Sequence, residues 1–203
     1  MTRLLQEAKL RYPAACLEDV DYHHPRGIDR GQLRQLGTGE WIRAHQVALV
    51  SGPTGVGKSW IVCALGNAAC RQGFSTRYYR VPRLLSDLKL AHADGSYPRL
   101  LTRLAKAHLL ILDDWGLAPL GAPDARELLE VIEDRVQARA TLIASQLPLD
   151  NLHSAIADPT VADAILDRLV HHAHTLSLKG ESMRKVMGKV QSNQHGEERP
   201  RRR

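Results

Sequence analysis

The chain has 203 residues, 43% hydrophobic, 25% charged and only 4% aromatic, a size and balance that suit one soluble α/β domain with an aliphatic core. A formal net charge of +6 favours a polyanionic partner, nucleic acid first and an acidic membrane second; Arg199, Arg201, Arg202 and Arg203 against Glu197 and Glu198 supply only +2 of it, so the body of the chain is basic too. No apolar run is long enough to span a bilayer and the first residues show no signal-peptide pattern, which argues against membrane and secreted classes and for a cytoplasmic location.

The first 46 residues are expected to form a helix and then an irregular linker, because Arg11-Tyr12-Pro13 breaks the helix and His24-Pro25-Arg26-Gly27 is turn chemistry. Cys16, Cys63 and Cys70 form no C-x-x-C pair, and Cys63 and Cys70 share one helix, which fits burial as small apolar residues in a reducing compartment. Val47-Ala48-Leu49-Val50 predicts a strand over 47–51. It runs into Gly52-Pro53-Thr54-Gly55-Val56-Gly57-Lys58-Ser59, which fits the phosphate-loop pattern G-x-x-x-x-G-K-[ST] at every fixed position. Helical patterning over 58–72 completes the strand–loop–helix context such a loop needs. Glycines let successive backbone N–H groups face phosphates, and the helix N-terminus adds partial positive charge. Gly52 to Ser59, with Trp60 directly after, are therefore the candidate nucleotide-binding residues. Lys58 is expected to reach the β- and γ-phosphates of ATP, and the Ser59 hydroxyl to sit on Mg²⁺.

A second strand is expected over 76–81, followed by two short helices, 82–92 and 97–106, parted by Asp94-Gly95-Ser96. Leu109-Leu110-Ile111-Leu112 gives a buried strand over 108–113 that ends in Asp113-Asp114. An apolar strand delivering carboxylates at its C-terminal end has the Walker B shape, and open α/β sheets place ligand sites at that edge. Asp113 is expected to hold Mg²⁺ through water, and Asp114 to orient or deprotonate the attacking water. Further on, a helix over 124–138, a strand over 141–145, a helix over 161–172, a strand over 174–178 and a helix over 181–190 complete the alternation. That alternation means a mostly parallel five-stranded sheet covered by helices on both faces. The parts are a helix and linker over 1–46, an ATPase domain over 47–190 and a basic tail over 191–203, which is polar and expected to be disordered.

With these motifs in hand, the chain resembles the IstB-like transposition helper ATPases, a branch of AAA+ proteins close to the DnaC helicase loaders. The resemblance runs from about Leu5 to about Val190. It is carried by Ala8-Lys9-Leu10-Arg11-Tyr12-Pro13-Ala14, Tyr22-His23-His24-Pro25-Arg26-Gly27, Leu110-Ile111-Leu112-Asp113-Asp114-Trp115-Gly116 and Ser145-Gln146-Leu147-Pro148. Ala162-Asp163-Ala164-Ile165-Leu166-Asp167-Arg168-Leu169-Val170 and Leu178-Lys179-Gly180-Glu181-Ser182-Met183-Arg184 are the most specific stretches. The resemblance implies a P-loop NTPase of AAA+ type. Ser145 or Gln146 matches sensor 1, the polar side chain that fixes the attacking water or γ-phosphate. Arg168 matches the arginine offered to a neighbouring subunit's γ-phosphate, and Arg184 matches sensor 2; read from the residues alone, a surface or ion-pair side chain is the favoured alternative for each. Asp114 stands where many AAA+ proteins have Glu and is one methylene shorter, although Asp is common there among IstB-like proteins. The family's N-terminal helical region, implicated in contacting the transposase, is represented here by one short helix, so contact with a transposase is a weaker expectation than ATPase assembly.

The resemblance further implies an ATP-dependent homo-oligomer on DNA, with an insertion-sequence transposase as partner or, in the loader reading, a replicative helicase. Val81 to Lys106 occupies the place of the helical insert that faces nucleic acid in such assemblies, and Arg83, Lys89, Arg99, Arg103 and Lys106 are its candidate phosphate contacts, with Leu84, Leu85, Leu88 and Leu90 on its apolar side. The alternative is a solvated face of an ordinary amphipathic pair. No zinc finger or helix-turn-helix is present, so DNA contact without sequence reading is expected, duplex or single-stranded. His171-His172-Ala173-His174 has no acid or cysteine spaced to complete a metal site. A small-molecule kinase also fits the loop, but the Asp167-Arg168 and Ser182-Met183-Arg184 stretches argue against it.

Overall fold

The computed structural model describes residues 2–148, 151–170 and 173–183. The apolar runs become β1 (Val47–Ser51), β2 (Thr76–Arg80), β3 (Leu109–Trp115), β4 (Ala140–Ser145) and β5 (His174–Ser177). They pair in parallel throughout, in the order β2-β3-β4-β1-β5. The phosphate-loop strand β1 thus lies beside β4, with β3 one strand further out, so their C-terminal ends share one edge. Eight α-helices are described: α1 (Thr2–Ala8), α2 (Arg30–Gly37), α3 (Glu40–Arg43), α4 (Lys58–Arg71), α5 (Val81–Asp94), α6 (Tyr97–Lys106), α7 (Ala122–Glu133) and α8 (Pro159–Val170).

Alternation along the strands divides the core in two. Ala48, Val50, Leu109, Ile111, Leu142 and Ala144 face α4 and the N-terminal helices. Leu49, Leu110, Leu112 and Ile143 face α5 to α8. Helix α4 is buried from Ile61 to Cys70, which is why its sequence shows little polar face. Cys63 and Cys70 are buried free thiols, as their spacing predicts, and burial pushes the Cys63 thiol up to about 11.

Four local expectations are corrected. The linker before β1 is not irregular throughout, since α2 and α3 form within it. Asp29 caps α2 by accepting from Gln32 N at 2.7 Å, and Gly39, with φ 73°, turns the chain into α3. Leu33, Leu36, Trp41 and Ile42 then join the core around α4. Strand β3 continues through the acid pair to Trp115 because one extra residue is accommodated there: Leu112 pairs with Ile143 but Trp115 with Ser145, and Asp114 takes a φ of 59°. Helix α7 stops at Glu133 rather than 138; the chain then turns Arg135 inward, and Gln137 adopts a φ of 60°. Leu90 does not join Leu84, Leu85 and Leu88 in the core but is 64% exposed. The expected tail and residues 184–190 of the expected 181–190 helix lie outside the described residues.

Candidate nucleotide site

The phosphate loop links β1 to α4, and its backbone curl depends on glycine. Gly52 has φ 145°, and a Cβ on it would come within 2.3 Å of the Leu178 carbonyl oxygen. Gly57 has φ 104° and packs against Arg26, whose Nη1 would be 2.8 Å from a Cβ there. Lys58 opens α4, is 8% exposed, and donates from Nζ to the carbonyls of Gly52 (2.7 Å) and Pro53 (2.8 Å). Burial lowers its pKa, opposed by the negative charges of Asp113 and Asp114. A cavity of about 420 Å³ opens over the loop, lined by Thr54, Gly55, Gly57, Lys58, Ser59 and Trp60, by Arg11, Tyr12, Asp19, Asp21 and Arg26 from the N-terminal linker, and by Asp114, Gln146 and Met183. Its size, an ammonium held in the loop and the N-terminus of α4 fit a nucleoside triphosphate.

The bulge in β3 separates the two acids. Asp113 is 1% exposed; its Oδ2 accepts from Tyr78 Oη at 2.6 Å and its Oδ1 from Asp114 N at 2.8 Å. Burial and this bond hold the Tyr78 hydroxyl protonated well above its ordinary range. Asp114 reaches the cavity instead, where Arg80 Nε donates to its Oδ2 at 2.5 Å and Arg11 stands 3.9 Å away. The Ser59 hydroxyl and the lone pairs left on Asp113 are the oxygen donors that would hold Mg²⁺, in keeping with its habit of keeping several waters. The two sensor 1 candidates also part. Ser145 is fully buried and accepts from Leu147 N at 3.0 Å, whereas Gln146 lines the cavity and its Oε1 accepts from Thr54 Oγ1 at 2.8 Å.

Residues 1–191 match the family described as IstB-like ATP binding protein. The chain belongs to that family. It is 54% identical over 181 residues to the insertion sequence ATP-binding protein y4pL of Sinorhizobium fredii, covering 89% of this chain and 74% of that protein. With an ATP-binding protein in an insertion sequence of Mycobacterium tuberculosis it shares 33% over 185 residues, 91% of this chain and 73% of the relative. Among solved structures, DnaI superposes with a TM-score of 0.69 at 19% identity over 88% of this chain and 94% of that one. The replication initiator DnaA bound to AMPPCP and single-stranded DNA gives 0.65 at 16% identity over 92% and 57%. The fold is that of the AAA+ P-loop ATPases.

In this IstB-like chain Arg168 lies away from its own phosphate loop. It donates to Ala164 O at 2.8 Å and to Glu133 Oε1 at 2.7 Å, and lines a second cavity of about 400 Å³ beside Val47 and Thr141, where β1 and β4 begin. Arg184, the sensor 2 candidate, falls outside the described residues, as do His171 and His172. His174 bonds Gln46 Oε1 at 2.8 Å. On α6, Arg99, Arg103 and Lys106 follow at i, i+4 and i+7 and are all exposed, so they form one stripe. The cations of α5 are not on that stripe: Arg83 pairs with Asp87 at 3.2 Å and Lys89 with Asp124 at 2.7 Å. No helix among the described residues is long and apolar enough to cross a membrane.

Two arginines were not legible as special. Arg26, read as turn chemistry, is 5% exposed and donates to Asp21 O at 2.6 Å and Val56 O at 3.4 Å. Arg135 is 1% exposed and donates to Thr141 Oγ1 at 3.2 Å, Ala107 O at 3.0 Å and the carbonyls of Leu104 and Ala140. Burial, together with nearby Arg139, pulls it down to about 9. The partners of Arg135 in the α6–β3 connection and of Arg26 in the loop lie about 30 positions away, so no local pattern announces either.

Proposed function

We propose that this chain is a Mg²⁺-dependent ATPase that assembles on DNA with ATP and assists an insertion-sequence transposase by preparing target DNA. The observation that carries the reading is the joint presence, around one cavity, of Lys58, Ser59, Asp114 and Gln146, in a chain whose relatives are ATP-binding proteins of insertion sequences. Lys58 neutralises phosphate charge, and Asp113 and Ser59 would hold Mg²⁺, which when bound would supply further charge neutralisation at the phosphates. Asp114 orients the attacking water, and Gln146, rather than the buried Ser145, senses the γ-phosphate side.

Arg168 acts on the neighbouring subunit. Its distance from its own loop and its place in an open cavity support that role, and assembly would have to draw it from Glu133. The exposed Arg99, Arg103 and Lys106 stripe supports contact with DNA phosphates without base reading. Arg83 and Lys89, each paired within the chain, contribute less.

ATP turnover and particle size are measured together, with and without duplex DNA, in Mg²⁺-ATP and in a non-hydrolysable analogue. Large particles and faster turnover with DNA are expected. Arg168→Ala should keep ATP binding and lose the DNA-stimulated turnover; stimulated turnover left intact removes Arg168 from the mechanism. Stable co-purification with a ring helicase, in place of a transposase, would turn the reading toward a loader.

A further inference from the structure

Among the described residues nothing completes the hydrogen bonding of Arg26. A guanidinium carries five N–H donors. Among the described residues two bonds are made, one of them long at 3.4 Å, and both go to carbonyls, with no carboxylate in ion-pair contact. Its Nε is buried without a partner. Burial lowers its pKa, with only the charge of Asp21 opposing. A buried cation left this incompletely bonded is unfavourable unless a further partner arrives.

The backbone fixes Arg26 where such a partner would come. Its carbonyl accepts from Lys179 N at 2.8 Å, so the linker and the strand-to-tail segment are tied together beside the loop. Its side chain borders the nucleotide cavity against Gly57. Lys58 and Ser59 already supply what phosphates require. What the rest of that cavity offers is different: Tyr12 and Trp60 present rings and Met183 a thioether, surfaces suited to a flat heteroaromatic base. A planar guanidinium can both donate to ring nitrogens and stack on such a base.

We propose that Arg26 is the base-reading residue of this site, engaging the purine ring of the nucleotide through its spare N–H donors and planar face. The linker, not the phosphate loop, then holds the nucleoside half. This rests on the nucleotide-site reading above and adds to it the residue that recognises the base.

Binding of ATP is compared by calorimetry with binding of inorganic tripolyphosphate, which has the phosphates but no base. Arg26→Gln should weaken ATP about ten-fold while leaving tripolyphosphate within about two-fold, the scale of one lost hydrogen bond from a charged donor. Lys58→Ala should weaken both. Equal loss of both ligands in Arg26→Gln, or no loss of ATP, overturns the assignment. If the wild-type protein bound neither ligand, the phosphate-loop reading would fall as well, which a base-specific failure would not cause. A measurement on the wild type removes the dependence on a variant that folds: in ¹⁵N-labelled protein the Arg26 Nε–H resonance should move on saturation with ATP and stay in place with tripolyphosphate. A resonance that ATP leaves unmoved, or that tripolyphosphate moves as far, overturns the assignment.

Discussion

At the edge where the strands finish, Arg26 is buried beside the phosphate loop with its Nε unbonded and, among the described residues, no acid in ion-pair contact. At the edge where they begin, Arg135 is buried still more deeply, also without an acid, and yet donates to four acceptors that tie the end of α6 to the start of β4. Two cations with similar burial therefore do different work. A guanidinium with four of its five N–H donors met, by three carbonyls and a hydroxyl, is a cross-brace between segments that would otherwise leave carbonyls unpaired. One whose donors are mostly unmet beside a cavity is a binding group. Burial alone does not separate a structural arginine from a functional one; the tally of its hydrogen bonds does.

The sharpest way to break this contrast is at the finishing edge. Lys58→Ala should reduce ATP affinity by at least about 100-fold, since a buried ammonium facing the phosphates is lost, while the folded state persists because among the described residues Lys58 bonds carbonyls of its own loop. Calorimetry and a melting curve on one sample decide both halves. Arg135→Met should show the reverse: about 2–3 kcal/mol of stability lost in urea unfolding, from three carbonyls left without donors, with ATP affinity of the folded protein unchanged. A loss below about 1 kcal/mol would mean that relief of burying the charge offsets the brace, and the contrast would fail. Arg26→Gln should cost clearly less stability than Arg135→Met despite comparable burial, about 1 kcal/mol, because only two bonds disappear. Thr141→Val should have an equally small effect on stability, about 1 kcal/mol by the same unfolding assay, and none on ATP binding. It removes the acceptor of Arg135 Nε at nearly constant shape and leaves Arg135 with the orphan donor that Arg26 already has.

The fold was legible because its signals are local. Apolar runs of four residues announce β1 and β3, glycine spacing announces the loop, and the acids follow a strand directly. Helices α2 and α3 were missed for a physical reason: they have 8 and 4 residues, too short for periodicity to emerge, and are held by burial of Leu33, Leu36, Trp41 and Ile42 rather than by helix propensity. The Asp29 cap three residues before Gln32 was the one signal that could have found α2. Within the site, loop and acids came from motif spacing, whereas the choice between Ser145 and Gln146 needed the direction each side chain takes. The α5 cations were readable as charges but not as partners of Asp87 and Asp124. Arg26 and Arg135 owe their character to segments brought together only by the finished fold.

The extra residue in β3 has a consequence for the choice of acid at its tip. Asp114 holds a φ of 59°, a region that Asp and Asn enter more readily than longer side chains. Many AAA+ proteins have Glu at this place and gain reach through one more methylene. Here the insertion itself carries the residue into the cavity while Asp113 stays behind, bonded to Tyr78. Reach is thus supplied by backbone where others supply it by side-chain length, and the shorter acid is the one the local conformation tolerates. Asp114→Glu would lengthen the lever without removing the step that made length unnecessary.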